Sequence, residues 1–434
     1  MLLIIQVTCK MKMMKMACNI IKPEVQSVKN SNEFVGIKIE EGSLKIFIPK
    51  VLRLSENEKI KNKELLLFLK SILLAKTIKN EKIQITDNDE VGEMWPIDSY
   101  IWLINDYLEN GYYYNREKQI SKNRSGKIDW KRTLKTVPIY SNRNLIYDKF
   151  VTSYMVASND IVAQIYQLCL SHSLKKIGWA YNLNMYIDVQ QLKTIKEMIH
   201  IINNELSSTF DDIKRFRYKH MLKVLKGIKG DRAILNRYTY GIKNYYYVFE
   251  RMVDIFLNGI KEKSQYNPSG FWQIDGESKF QSSNLRPDTI YISQNEIFII
   301  DSKMYSYGFT GLLKNLPNTD SMQKQITYGD FVKNNLFPEF KVRNIFIIPY
   351  DKSLDIFKKK DIFTKYYDNN LVYIGKAFVD WRNDRKQEHD YIFTFMIDFN
   401  FLLKNYNSKN NNFIKKICNH VNQNLNIMFS DKSE

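Results

Sequence analysis

The chain is poor in the residues that build metal-clipped or covalently catalytic sites. Its 434 residues include four cysteines and five histidines. Cys9, Cys18, Cys169 and Cys418 show neither the close spacing of a zinc site nor a dense disulfide framework, which fits a reducing cytoplasm. No histidine falls with a cysteine or serine into a recognisable triad, so nucleophilic hydrolase chemistry is disfavoured. No G-x-x-x-x-G-K-[ST] loop occurs, so any nucleotide hydrolysis must come from another protein. No apolar run approaches membrane-spanning length; Leu65–Ala75 comes nearest and is broken by Lys70. Met1–Val7 is apolar but lacks a basic leader and a small-residue cleavage site, so no signal peptide is expected. Met11, Met13, Met14 and Met16 leave the start codon open. Negative charge is also short. Against 65 Lys and Arg stand 47 Asp and Glu, a net charge of +18. A surplus of that size favours a polyanionic partner, most often nucleic acid. Compositional drift explains part of it, because Lys, Asn, Ile and Tyr are abundant throughout.

Along the chain, Phe34–Ile48 reads as a hairpin turning at Glu41-Gly42-Ser43. Helices are predicted over about Asn57–Lys76 and Ser99–Glu109, with a polar loop at Thr77–Glu93 between them. Tyr112–Asp148 carries a basic stretch, Ser121–Lys127, and short strand-like runs. Further helices fall at about Asp160–Lys176, Asp188–Ile202 and Asp211–Gly227. Gly227–Asp231 is the expected boundary, giving an ill-defined segment 1–30, a mixed α+β region 31–228 and a second domain 229–434. In that domain the order is a helix (Tyr240–Asn258), a strand (Phe271–Ile274), two hairpin strands, a helix (Asp320–Asn335, with Thr319 as N-cap) and the apolar strand Val342–Ile348. This αβββαβ order makes the fold class α/β, or α+β over the whole chain. Strand-like segments at Leu371–Ile374 and Tyr391–Ile397 and a helix at Asn412–Leu425 follow.

The hairpin within this unit carries the chemistry. Thr289–Ser293 and Ile297–Ile300 are β-branched or aromatic, with Gln294-Asn295 as the turn. Pairing about that turn sets Asp288 nearly opposite Asp301 and Ser302, and strand alternation puts Asp301 and Lys303 on one face. Two carboxylates and an ammonium converging at one end of an apolar hairpin suggest a site for a hard divalent cation. Phosphodiester hydrolysis needs a positioned water, neutralisation of charge growing on the phosphate, and help for the departing oxygen; carboxylate-held Mg²⁺, or Mn²⁺ in its place, supplies these. Asp288 and Asp301 fit as ligands, with the Ser302 backbone carbonyl as a third, and Lys303 can orient water or stabilise the phosphate. A further acid is expected from the preceding helix: Glu250, with Asp254 one turn on as competitor.

Pro287-Asp288 followed by Asp301-Ser302-Lys303 resembles the PD-(D/E)xK nuclease motif, and the element order matches that superfamily. Lys324–Tyr328 resembles the Q-x-x-x-Y-like helix motif of related nucleases, although Tyr328 follows Gln325 by three residues. Phe34-Val35-Gly36, Gly111-Tyr112-Tyr113, Gly126–Thr133, Pro138-Ile139-Tyr140 and Leu316–Asp320 resemble the LlaJI family of restriction endonucleases, itself similar to McrC, the nuclease subunit that works with a McrB-type GTPase. The resemblance implies a restriction component cutting double-stranded DNA with Mg²⁺. It further implies a McrB-like AAA+ GTPase partner and a cognate DNA methyltransferase, in the cytoplasm, with no membrane role and with self-association open.

Each residue also has a plainer reading. Asp301 and Lys303 could be a strand-end ion pair and Asp288 a turn residue. Glu250 and Gln325 could be solvated helix residues, and Lys324 a solvated lysine rather than a phosphate contact. Lys131 and Arg132 could touch DNA, while Trp130 is expected as a core anchor and Tyr245-Tyr246-Tyr247 as helix packing. Two functional alternatives stand beside a restriction nuclease: a repair or recombination nuclease on the same core, and a non-catalytic DNA-binding or GTPase-regulating subunit.

Overall fold

The computed structural model describes residues 24–28, 33–40, 43–77, 95–122, 127–141, 144–158, 161–183, 185, 187, 189, 193–230, 237–354, 370–385, 387–408 and 411–430. The start-codon methionines, Cys9, Cys18, the turn residues Glu41 and Gly42, nearly all of the expected 77–93 loop and the centre of the basic 121–127 stretch lie outside them.

The expected N-terminal hairpin forms from β2 (Val35–Glu40) and β3 (Ser43–Ile48), and β1 (Glu24–Ser27) adds in parallel to β3. α1 (Glu58–Leu73) is capped by Asn57, whose side chain accepts from Lys59 and Ile60 N–H; it buries Leu65, Phe68, Leu69 and Ile72. α2 (Ile97–Asn110) follows, and Gly111 at φ 74° ends it in a conformation that suits glycine. A three-stranded sheet then forms from β4 (Asn115–Lys122), β5 (Lys127–Ile128) and β8 (Val151–Ser158). Between β5 and β8 lie the one-turn helix α3 (Trp130–Thr133) and a small ribbon of β6 (Ile139–Ser141) and β7 (Asn144–Ile146). Trp130 is not the core anchor expected of it. It is 56% exposed, edge-on to Phe150, because α3 turns Thr133 rather than Trp130 onto β8, where Thr133 is fully buried and accepts from the Val151 N–H.

α4 (Ile161–Ile177), α5 (Ile195–Ser208) and α6 (Asp212–Gly230) follow, with a capping box of Thr194 and Glu197 starting α5. α2, α4 and α6 pack together around a buried ion pair. Arg217 grips Asp106 through two hydrogen bonds of 2.9 and 2.8 Å, and Tyr166 Oη donates to the same carboxylate.

Next comes β9 (Arg237–Ile242), where a helix was expected from Tyr240. It pairs antiparallel with β2 and completes a sheet ordered β1-β3-β2-β9, so this sheet draws on chain from both sides of the Gly227–Asp231 region. Gly36 and Gly241 face each other across that pair, where a Cβ on either would run into the opposite backbone. The helix itself is α7 (Tyr246–Phe256), burying Val248, Phe249, Met252, Val253 and Phe256. Tyr245 at its start is buried and hydrogen-bonded to Ser71 at 2.6 Å, so the tyrosine run begins as helix packing.

The strand expected at Phe271–Ile274 is only β10 (Phe271–Trp272), paired with β11 (Phe280–Gln281) in an exposed ribbon outside the main sheet. The chemical hairpin forms as read: β12 (Thr289–Ser293) and β13 (Glu296–Ser302) turn at Gln294, whose φ is 51°. After the one-turn α8 (Tyr307–Thr310), helix α9 (Thr319–Phe331) is capped by Asn318 rather than Thr319. β14 (Lys341–Tyr350), β15 (Leu371–Ala377) and β16 (Ile392–Asp398) complete a five-stranded sheet ordered β12-β13-β14-β16-β15. β13, β14 and β16 run parallel and are almost wholly buried, which is why they read as unbroken apolar runs. α10 (Phe399–Asn405) and α11 (Asn411–Ser430) close the chain.

The period of two along β13 sorts its residues between two helices. Phe298 and Ile300 join the core containing Phe249, Met252 and Val253 of α7. Ile297 and Ile299 pack with Tyr328 and Val332 on the α9 side. β13 is thus clamped on both faces, and its C-terminal end brings Asp301 to the edge of the sandwich. No helix among the described residues is long and apolar enough to cross a membrane.

Candidate active site

Register places the acids where the hairpin argument put them. Thr289 pairs with Ile300, so Asp288 stands level with Asp301, and the Ser302 N–H donates to Asp288 Oδ2 at 2.8 Å. Asp301 is 1% exposed, and the Lys303 ammonium approaches its Oδ2 to 2.8 Å. The Asp301 carboxylate meets two groups of the cluster, the Lys303 ammonium and the neighbouring Asp288 carboxyl. The Lys303 backbone is tied to the sheet, its N–H donating to the Ile347 carbonyl at 2.8 Å. Glu250, half-buried in the middle of α7, reaches the same cluster; its electrostatic neighbours are Lys303, Asp301 and Lys324.

Three carboxylates around one ammonium leave the site short of positive charge. Burial pushes the Glu250 carboxyl up to about 7, and the Asp301 charge adds to this against Lys303 and Lys324. Burial, then Asp301 and Glu250, likewise raise Asp288 well above the usual carboxylate range. Burial alone would lower Lys303, but Asp288, Asp301 and Glu250 outweigh it and hold the ammonium above its ordinary value. Hard oxygen donors, two buried carboxyls side by side at Asp288 and Asp301, and Glu250 beside them against the one Lys303 ammonium form the setting that a hard divalent cation fits.

Asp254, the competitor to Glu250, is otherwise engaged. It lies in ion pairs with Arg251 at 2.8 Å and Lys263 at 2.5 Å. Gln325 is fully buried, but its amide nitrogen donates to the Ile299 carbonyl at 2.8 Å and to Asn344 Oδ1 at 3.2 Å. It therefore braces the backbone of β13 two residues before Asp301. Tyr328 is also fully buried, packed under Ile297 and Ile299. Lys324, half-buried on α9 with its ammonium 5.6 Å from the Tyr328 ring centre, lies close enough to act on Glu250. Lys131 and Arg132 belong to α3, where both are exposed and Arg132 is paired with Asp129 at 3.7 Å.

Sequence reasoning missed Lys263 and Asn344, which are bonded to the site's backbone or to its brace; only the tertiary contacts single them out. It also missed Asp330, His389 and Asp390. Among the described residues these form the one group of three whose ligand atoms all lie within 4.8 Å, a spacing that Glu250, Asp288 and Asp301 do not reach together. Arg382 bonds both Asp330 and Asp390, and His389 Nε2 stands 2.9 Å from Asp330. That group is already compensated, unlike the one at Asp301.

The model of the LlaJI restriction endonuclease family matches residues 34–374. No curated protein matches the chain. Among solved structures, one described as a refined half-complex from the tetradecameric assembly of Thermococcus gammatolerans McrB AAA+ hexamers with bound McrC is similar at 15% identity. Its TM-score is 0.35, over 88% of this chain and 83% of that one. With the match running through both the N-terminal sheets and the Asp288–Lys303 hairpin, the chain belongs to the LlaJI restriction endonuclease family.

Proposed function

We propose that the chain is the cutting subunit of a restriction system and hydrolyses phosphodiester bonds of double-stranded DNA, site-specifically and with Mg²⁺. The carrying observation is the buried Asp301 carboxylate, with Asp288 level with it across the hairpin and the Lys303 ammonium 2.8 Å away. Asp288, Asp301 and Glu250, with the Ser302 carbonyl, would hold the metal, Mg²⁺ or its substitute Mn²⁺. When bound, the ion supplies charge neutralisation at the phosphate and acidifies water. The Lys303 ammonium, anchored to the sheet through its own backbone, donates to the incoming water or to a phosphate oxygen. Water adds its oxygen to phosphorus, the bond to the departing oxygen breaks, and a proton passes to that oxygen. Lys324, near enough to act on Glu250, would meet a flanking phosphate, and Gln325 holds β13 in position.

LlaJI restriction endonucleases resemble McrC, so a McrB-like AAA+ GTPase is the proposed partner, with a cognate methyltransferase protecting host DNA in the same cytoplasm. An exposed apolar set on the β6–β7 side supports a partner face there: Val137 is 90% exposed and Tyr140 72%. The alternative of a non-catalytic subunit has less support, because Asp288, Asp301 and Lys303 are all present and assembled.

Asp301→Asn tests the reading. It should abolish Mg²⁺-dependent cleavage of DNA, assayed with the partner present, while the far-ultraviolet circular dichroism is unchanged. Cutting at the unmodified rate by the purified variant would sink the assignment.

A further inference from the structure

Resting on the reading of Asp288 and Glu250 as metal ligands, we propose that Lys263 is a positioning residue that sets their separation. Lys263 follows α7 and precedes the β10–β11 ribbon. Its ammonium lies 2.5 Å from Asp254 Oδ1 and 2.5 Å from the backbone carbonyl of Asp288. Asp254 belongs to α7, one helical turn beyond Glu250, so a rigid segment joins the two acids. One ammonium therefore ties the helix bearing Glu250 to the backbone bearing Asp288.

The geometry around this clamp is specific. Asp254 is 6% exposed, and the Lys263 side chain is 20% exposed. Arg251 takes the other Asp254 oxygen at 2.8 Å, which leaves Oδ1 to Lys263. A side chain at Gly259 would overlap Asp254 Oδ1, so glycine there keeps the carboxylate free to meet the lysine. The Ile260 N–H donates to the Ile290 carbonyl at 2.9 Å, carrying the connecting segment alongside β12. Asp288 is then held twice: its carboxylate by Ser302 N–H and its carbonyl by Lys263. Lys263 touches neither Asp288 oxygen that would bind metal. Its effect is on placement, as expected of the groups that orient a ligand from behind.

The test is direct Mn²⁺ binding to the full chain, followed by electron paramagnetic resonance without DNA, alongside cleavage. Lys263→Met should weaken Mn²⁺ binding by about 10- to 100-fold, the usual effect of losing an orienting partner. DNA affinity measured without divalent metal should be unchanged, and Lys263→Arg, which keeps a cationic donor, should recover much of the metal affinity. Asp254→Asn, which preserves shape and an acceptor, should show a smaller loss in the same direction and carries the test if Lys263→Met fails to fold. Mn²⁺ affinity within twofold of the unmodified protein in a folded Lys263→Met or Asp254→Asn chain would overturn the clamp. Asp288→Asn separates the two readings. If it abolishes Mn²⁺ binding while Lys263→Met does not, the clamp alone falls; if it too binds normally, the metal site falls and the clamp with it.

Discussion

Glu250 offers a pH experiment whose sign and size follow from the site. Its carboxyl is raised from the ordinary 4.5 to about 7, first by burial and then by the Asp301 charge. A raised carboxyl pKa means that the folded chain binds this proton more tightly than the unfolded chain does. Below pH 4.5 both states are protonated and nothing is lost. Between 4.5 and about 7 the unfolded state ionises first, so stability falls as pH rises, and above 7 the full penalty is present. At 1.36 kcal/mol per pH unit the penalty is on the order of 3 kcal/mol, an upper figure because Glu250 is only half-buried. For a chain of 434 residues this corresponds to about 3 °C in melting temperature. The assay is calorimetry of the metal-free chain from pH 5 to 8.5, comparing it with Glu250→Gln. Asp288 is raised as well, in part by the Glu250 charge, so the difference between the curves carries Glu250 together with its effect on Asp288. The variant should gain on the unmodified protein as pH rises through 7, and Mg²⁺ should stabilise the unmodified protein most at high pH. Parallel curves with no divergence would refute the placement of Glu250 in this cluster.

Two further outcomes follow from contacts around the site. Gln325→Leu removes donors from the Ile299 carbonyl and Asn344 and leaves buried acceptors behind. It should cost about 1–3 kcal/mol, read as a lower urea midpoint at unchanged slope, with cleavage reduced in step. An unshifted midpoint would show that Gln325 does not brace β13. DNA affinity should fall steeply with salt, and Lys324→Ala should reduce the slope of log affinity against log salt by about one if that side chain meets a phosphate. An unaltered slope would remove Lys324 from the contact surface.

The restriction-nuclease hairpin was legible because everything that defines it is local. Alternation over Thr289–Ile300, a two-residue turn and charges clustered at one end were enough to place Asp288 level with Asp301 and to pair Lys303 with Asp301. The buried parallel strands and most helices were legible for the same reason, since period and capping are written in neighbouring residues. Glu250 was the acid expected from its helix, with Asp254 one turn on as competitor. Only the packed structure separates them, because Lys263 and Arg251 occupy Asp254 and leave Glu250 to the cluster.

Where pairing reached across the chain, local pattern misled. Tyr240–Ile242 looked helical beside the apolar run of α7, yet it is a strand because its partner is Val35–Ile37, far back in the sequence. Trp130 looked like a core residue, yet α3 turns Thr133 inward and leaves Trp130 exposed. Lys263 carried no sequence signal at all, since its meaning lies in two oxygens contributed by other elements. Residue order alone brought Asp288, Asp301 and Lys303 to the hairpin mouth and located most of the helix on either side of it. Which helix acid faces that mouth, what holds it there and which strands close the sheets were decided by tertiary contacts, because those depend on distances between segments that no local periodicity encodes.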